Sequence, residues 1–210
     1  MSFEFRSKKI PKRGFHPMEP LILASASPRR RELLNQAGIP FIVRPGGVDE
    51  DLSQLEGGPS DKAEQLAYRK ATEIAGTGAG GLVLGADTIV VVDEVVFGKP
   101  ADEADAFRML KELSGRSHSV ITGLALIDAA GGRSRTGHEE TRVRFARLSD
   151  GDIKAYIRTG EPFDKAGAYA LQGKGALLVE GIEGCYSNVV GLPIMRLKKM
   201  LAEFGLDPLA

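Results

Sequence analysis

Asp87 stands in the run Leu84-Gly85-Ala86-Asp87-Thr88-Ile89, which places a carboxylate in the most apolar segment of a 210-residue chain. An isolated buried aspartate is costly, so this one needs a cation, a metal or a chemical task; capping a turn is the plainer alternative. Arg29 and Arg30 fall in the first turn of a helix expected from Ser27 as N-cap and Pro28 at the first helical position. Unpaired amides give that end about half a positive charge, so arginines there are unfavourable unless an anion compensates. A phosphate docked on those amides would also take hydrogen bonds from Ser25 or Ser27 and from both guanidinium forks. A solvated basic turn is the alternative.

Three lysines extend the pattern. Lys70 interrupts the apolar stripe Ala63, Leu66, Ala67, Ala71 and Ile74, so it either snorkels or finds an anion. Lys99, before Pro100, and Lys165, after Asp164, suit oligophosphate oxygens as compact charges; each taken alone reads sooner as a surface lysine beside a turn. If Glu50 meets Asp87 in space, the two carboxylates can hold Mg²⁺ or Mn²⁺ through oxygen ligands while one accepts a proton from water. The set describes a polyanion site with a carboxylate-held metal. Phosphoanhydride hydrolysis fits it, because that chemistry rests mostly on positioning and charge neutralisation.

The elements that must position these groups alternate between strand and helix. Residues 21–24 read as a short buried strand, 28–37 as a helix closed by Gly38, and 41–43 as a second strand leading into a polar, acidic loop. Asp61 with Glu64 forms a capping-box pattern at the head of the Lys70 helix, which ends at Gly76. Residues 82–92 and 95–97 read as two strands turning at Asp93-Glu94, both buried on two faces. A helix over 102–113, a central strand over 119–127 and a half-exposed strand through Thr141, Val143 and Phe145 follow. Ser149 with Asp152 opens another helix, Leu177-Leu178-Val179 reads as a strand, and Pro193 begins the last helix. The order implies an α/β fold around a mixed central sheet in one continuous domain.

Composition narrows the class. With 28 basic and 28 acidic residues the chain carries no net charge, which argues against a nucleic-acid or membrane partner. The lone Cys185 excludes an internal disulfide and suits a reducing, cytoplasmic setting, and His16, His118 and His138 lack metal-ligand spacing. Gly76, Gly78 and Gly81 satisfy G-x-G-x-x-G but precede a strand, so the dinucleotide reading fails; no P-loop motif is present. Residues 1–18 read as a disordered basic tail, with Arg6, Lys8, Lys9, Lys12 and Arg13 as an alternative targeting signal, and 19–210 as the folded domain.

Several segments together resemble the Maf family of nucleoside triphosphate pyrophosphatases. They are the run from Ser25 to Leu34, Gly85-Ala86-Asp87-Thr88, Gly98-Lys99-Pro100, Thr122-Gly123, Glu161-Pro162-Phe163-Asp164-Lys165-Ala166-Gly167-Ala168-Tyr169, Leu171-Gln172-Gly173 and Tyr186-Ser187-Asn188-Val189-Val190-Gly191-Leu192-Pro193. The resemblance implies a two-lobed fold similar to inosine-triphosphate pyrophosphatases and metal-dependent cleavage of a nucleoside triphosphate to a monophosphate and pyrophosphate. It also implies, in many members, a homodimer. By position, Asp87 matches the family's proton acceptor, and Arg29, Thr88 and Gln172 match positions associated with substrate choice. Ser25, Arg30, Glu50, Lys70, Lys99 and Lys165 match polar residues lining the pocket. The Gln172 region and the Ser187-Asn188-Val189-Val190 ending look like the subgroup acting on dTTP and UTP. The subgroup acting on 7-methyl-GTP differs in both places. A side-chain amide at Gln172 can pair with the N3–H and O4 of uracil or thymine, or it serves merely as a turn residue. A non-catalytic, nucleotide-binding regulator of cell division is the rival from another class. The hairpin turn Asp93-Glu94 departs from the family's common glycine-containing form.

Overall fold

The computed structural model describes residues 18–210. The expected tail, with Arg6, Lys8, Lys9, Lys12, Arg13 and His16, lies outside the described residues, apart from Met18, which packs partly buried against the core.

Strands β1 (Leu21–Leu23), β2 (Phe41–Val43), β3 (Leu82–Val92), β4 (Val95–Phe97), β5 (Ser117–Asp128), β6 (Ser134–Phe145) and β7 (Val179–Glu183) form one seven-stranded sheet. Its order is β2-β1-β3-β5-β6-β7, with β4 paired to β3. β1 lies parallel to β2 and β3, whereas in the order β3, β5, β6 and β7 each strand runs antiparallel to the next, so the mixed sheet expected from the alternation is present. The helices are α1 (Pro28–Gln36), α2 (Pro59–Ala75), α3 (Glu103–Leu113), α4 (Asp150–Ile157), α5 (Tyr186–Val190) and α6 (Ile194–Glu203).

The long β3 and β5 run through two lobes. In one, Leu84, Ala86, Leu124 and Leu126 on one face pack with Leu33, Leu34, Leu197 and Leu201 of α1 and α6. On the opposite face Val83, Ala125 and Ile127 meet Ala67, Ala71 and Ile74 of α2. In the other lobe Val90, Val92, Val120 and Phe145 pack with Met109, Leu110 and Leu113 of α3 and with Ile153 and Tyr156 of α4. Fully buried leucines such as Leu84, Leu110 and Leu124 each contribute about 2 kcal/mol from the apolar surface removed from water.

Local departures from the sequence reading have identifiable causes. α2 starts at Pro59 with Gly58 as its cap, and Asp61, at the third helical position, accepts from Gly58 N at 2.9 Å. Asp61 is therefore the far half of the capping box, and Glu64 pairs instead with His138 Nδ1 at 2.6 Å. β3 is buried as expected, but β4 is an edge with Val95 56% exposed, because among the described residues no further strand covers it. Asp93 and Glu94 both adopt left-handed backbone (φ 45° and 67°), the twist a two-residue hairpin needs, without a glycine. Leu177 and Leu178 close a short 3₁₀ coil over Gly173–Leu178, and the strand begins only at Val179; Leu177 is exposed.

Candidate active site

A cleft of about 420 Å³ opens where the edge of β3 loses its neighbour. β1 pairs with β3 through Ile22↔Val83 and Leu23↔Leu84, and Ala24 N donates to Leu84 O at 2.9 Å. β4 pairs with β3 only from Val90 onward. Between them, residues 85–89 carry no strand on that edge among the described residues. Asp87 and Thr88 point to opposite faces of the strand, yet both line the cleft because it wraps this open edge. Ser25, Arg29, Arg30, Glu50, Lys70, Lys99, Lys165 and Gln172 line it too, so all ten residues singled out from the sequence converge.

Two glycines bring the charged helix to Asp87. A Cβ at Gly85 would stand 2.1 Å from Ala67 O, and one at Gly123, the register partner of Asp87, 2.2 Å from Ala63 O. α2 therefore rests directly on the strand backbones, and Lys70 projects into the cleft. Its ammonium lies 2.6 Å from Asp87 Oδ1 and 2.7 Å from Glu50 Oε1, while Lys99 takes the other Glu50 oxygen at 2.7 Å. Of the two readings open for Lys70, a lysine paired with anions is the one realised. Asp87 is 7% exposed. Burial pushes its carboxyl above the usual aspartate range, against the opposing pull of Lys70 and Arg30. Glu50 goes the other way: partial burial raises it, but hydrogen bonds and charge from Lys70 and Lys99 prevail and bring it to about 2.

The expected N-cap of α1 is present: Ser27 Oγ accepts from Arg30 N, and Pro28 occupies the first turn. The two arginines then diverge. Arg30 donates from Nε to Gly191 O at 2.9 Å, from Nη1 to Ser25 Oγ at 3.0 Å and from Nη2 to Thr88 Oγ1 at 3.2 Å. Burial lowers its pKa while Asp87 opposes, and the guanidinium stays charged. Among the described residues Arg29 makes a single polar side-chain contact, 3.4 Å from the exposed Asp164 across the cleft mouth. Lys165 donates to Glu161 O at 2.6 Å and to Asp164.

Sequence reasoning quoted Thr122 and Asn188 only within the segments that carry the resemblance and gave no role to the layer they form behind these groups. Thr88 Oγ1 meets Thr122 Oγ1 at 2.9 Å, Thr122 donates to Asn188 O, and Asn188 Nδ2 donates to Val120 O and Thr141 Oγ1, each at 2.9 Å. This chain ties α5 to β5 and β6 beneath the Arg30 acceptors. No periodicity marks Asn188, and α5 itself is too short to read as a pattern. The charge of Asp164 beside Lys165 was the one available signal for the Arg29 contact.

Oxygen donors alone form the anionic part of the site. Asp87 and Glu50 already converge on one cation, the Lys70 ammonium, and among the described residues no cluster of three or more histidine, cysteine or acidic side chains forms a protein-only metal cage. A pair of carboxylates suits Mg²⁺ or Mn²⁺, which commonly complete their shells with phosphate oxygens and water.

Fold and cleft together define an α/β protein whose two lobes enclose a cleft lined by cationic side chains and a buried carboxylate. The chain belongs to the Maf-like protein family, which matches residues 20–204. It is 53% identical over 188 residues to a dTTP/UTP pyrophosphatase of Ruminiclostridium cellulolyticum, covering 90% of this chain and 97% of that one. A dTTP/UTP pyrophosphatase of Symbiobacterium thermophilum is 55% identical, covering 90% and 95%, and one of Pelotomaculum thermopropionicum 50%, covering 91% and 100%. A solved nucleoside-triphosphatase / dITP/XTP pyrophosphatase from Mycobacterium abscessus aligns with 89% of this chain and 96% of that one at 15% identity and a TM-score of 0.45. Among the described residues no helix is long and apolar enough to cross a membrane.

Proposed function

We propose that the protein hydrolyses dTTP and UTP to the nucleoside monophosphate and pyrophosphate. The observation that carries this reading is the buried Asp87 on the open edge of β3, in one cleft with Arg29, Arg30, Lys70, Lys99 and Lys165. The names of relatives near half identity support the same reaction and substrates.

Each side chain has a distinct task. Lys70 holds Asp87 Oδ1, leaving Oδ2 to accept the proton of a water attacking the α-phosphorus. The raised affinity of this carboxyl for protons makes it a better base than a solvated aspartate. Arg29, Lys99 and Lys165 reach the phosphates from three elements and neutralise charge on the departing pyrophosphate, and the α1 amides add the helix dipole. Arg30 is largely committed to protein acceptors, so it fixes Ser25 and Thr88 as well as contributing charge. Gln172 presents a donor and an acceptor to the N3–H and O4 edge of the base. Asp87 and Glu50 would hold a divalent cation, Mg²⁺ or Mn²⁺, which when bound supplies charge neutralisation and lowers the pKa of water.

The test is pyrophosphate release by the purified protein from dTTP, UTP and 7-methyl-GTP, with Mg²⁺ or Mn²⁺ and after chelation. Release from the two pyrimidine nucleotides, lost on chelation and restored by metal, is expected. Preference for 7-methyl-GTP would reassign the base. Tight triphosphate binding with no release at any metal concentration would reassign the protein as a nucleotide-binding regulator.

A further inference from the structure

The segment carrying Leu171 and Gln172 into the cleft is held from behind. At its start, Ala170 N donates to Tyr156 Oη at 3.4 Å. At its end, Lys174 N and Gly175 N donate to the two carboxylate oxygens of Glu161, at 3.2 and 3.3 Å. The fit is close: Gly173 has φ +66°, and a Cβ there would stand 3.0 Å from Glu161 Oε1. A Cβ on Gly175 would stand 2.1 Å from Ala170 O, so the loop folds back on itself around the carboxylate. The Gln172 side chain has no hydrogen-bond partner among the described residues, so its place in the cleft is set by its backbone. Lys165 Nζ donates to the main-chain oxygen of Glu161 at 2.6 Å, a contact that does not involve the Glu161 carboxylate and that side-chain substitution leaves available.

We propose that Glu161 is a positioning residue for base recognition: its carboxylate fixes the Gln172 loop, so selection among nucleotide bases depends on it while cleavage does not. The inference rests on the pyrimidine nucleotide reading above and names the residue that makes the base contact selective. A site built to hydrogen-bond a substrate discriminates by leaving its polar groups unpaired against the wrong one, and that requires those groups to be held in place.

The experiment compares kcat and KM for dTTP, UTP, CTP and 7-methyl-GTP in the full chain and in Glu161→Ala, Glu161→Gln, Gln172→Ala and the Glu161→Ala/Gln172→Ala double variant. The wild type fixes the reading first: no preference for dTTP and UTP overturns both the reading and the inference. Given that preference, Glu161→Ala is expected to lose about tenfold in the kcat/KM ratio of UTP to CTP, through KM, with kcat for UTP kept. Glu161→Gln, which keeps one acceptor oxygen but turns its NH₂ toward the other backbone N–H, is expected to give a ratio between those of the wild type and Glu161→Ala. The double variant is expected to be no less selective than Gln172→Ala alone, because both act through one contact. If Glu161→Ala fails to fold, Glu161→Asp, whose carboxylate is withdrawn by one methylene, carries the same comparison. A wild-type ratio in the Ala or Asp variant, a fall in kcat shared equally by all four nucleotides, or additive losses in the double variant would overturn it.

Discussion

Lys70 Nζ lies 2.6 Å from Asp87 Oδ1, and the side chains of this pair are only 12% and 9% exposed. Removing one partner of a buried ion pair strands the other and costs about 3–5 kcal/mol, so a conservative change is needed to separate chemistry from folding. Asp87→Asn keeps an oxygen to accept from Lys70 and removes the proton acceptor. Turnover is expected to fall by at least about 10²-fold with the far-UV circular dichroism spectrum unchanged. Pyrophosphate release at the wild-type rate in the Asn variant would exclude Asp87 as the base.

The same pair depends on how closely α2 approaches the sheet. Gly123→Ala would set a methyl group 2.2 Å from Ala63 O, and Gly85→Ala one 2.1 Å from Ala67 O; both atoms are backbone and cannot rotate away. Each substitution is expected to cost about 1–3 kcal/mol, read as a lowered melting temperature, and to reduce turnover by lifting Lys70 from Asp87. Unchanged melting and turnover in both alanine variants would show that the helix does not need this approach.

These two glycines also mark the limit of what the sequence conveys. The Lys70 stripe, the Ser27 cap and the apolar surroundings of Asp87 are local patterns, and each reappears in the structure with the expected neighbours. Gly85 and Gly123 lie 38 positions apart in sequence (123 − 85) and acquire meaning only through the pairing of β3 with β5. Glu50 reaches Lys70 and Lys99 from an acidic loop whose path no periodicity describes. The strand expected at Leu177 failed for a related reason: its apolar run is local, whereas the fold back of Gly175 onto Ala170 is not.

Arg29 and Arg30 are adjacent and alike in charge, yet they should respond differently to substitution. Arg30 spends a planar fork on Gly191 O, Ser25 Oγ and Thr88 Oγ1, a geometry that a lysine cannot reproduce. Arg30→Lys is therefore expected to destabilise the protein by about 1–3 kcal/mol as buried acceptors lose their donors. Among the described residues Arg29 has a single exposed-side contact, with Asp164, so Arg29→Ala should leave the melting temperature nearly unchanged and raise KM for the triphosphate. Equal destabilisation by the two variants would contradict this division of labour.

Burial of His118 makes stability depend on pH between 6.5 and about 4. Its Nε2 lies 2.7 Å from Tyr169 Oη, its ring stands edge-on to Phe145 and Tyr169, and its Nδ1 is buried without a partner among the described residues. Burial pushes this histidine down from 6.5 to about 4. The folded state thus binds fewer protons than the unfolded chain between these values, so the stability contributed by a neutral His118 is complete above pH 6.5 and falls as the solution is acidified toward pH 4. The full loss corresponds to about 3 kcal/mol, with about 2 kcal/mol gone by pH 5. Melting temperatures of the wild type and of His118→Gln at pH 7 and pH 5 test this: the Gln variant starts lower, having lost the ring packing, and should fall less on acidification. Equal falls in the two proteins would assign the acid sensitivity to carboxylates elsewhere and remove His118 from it.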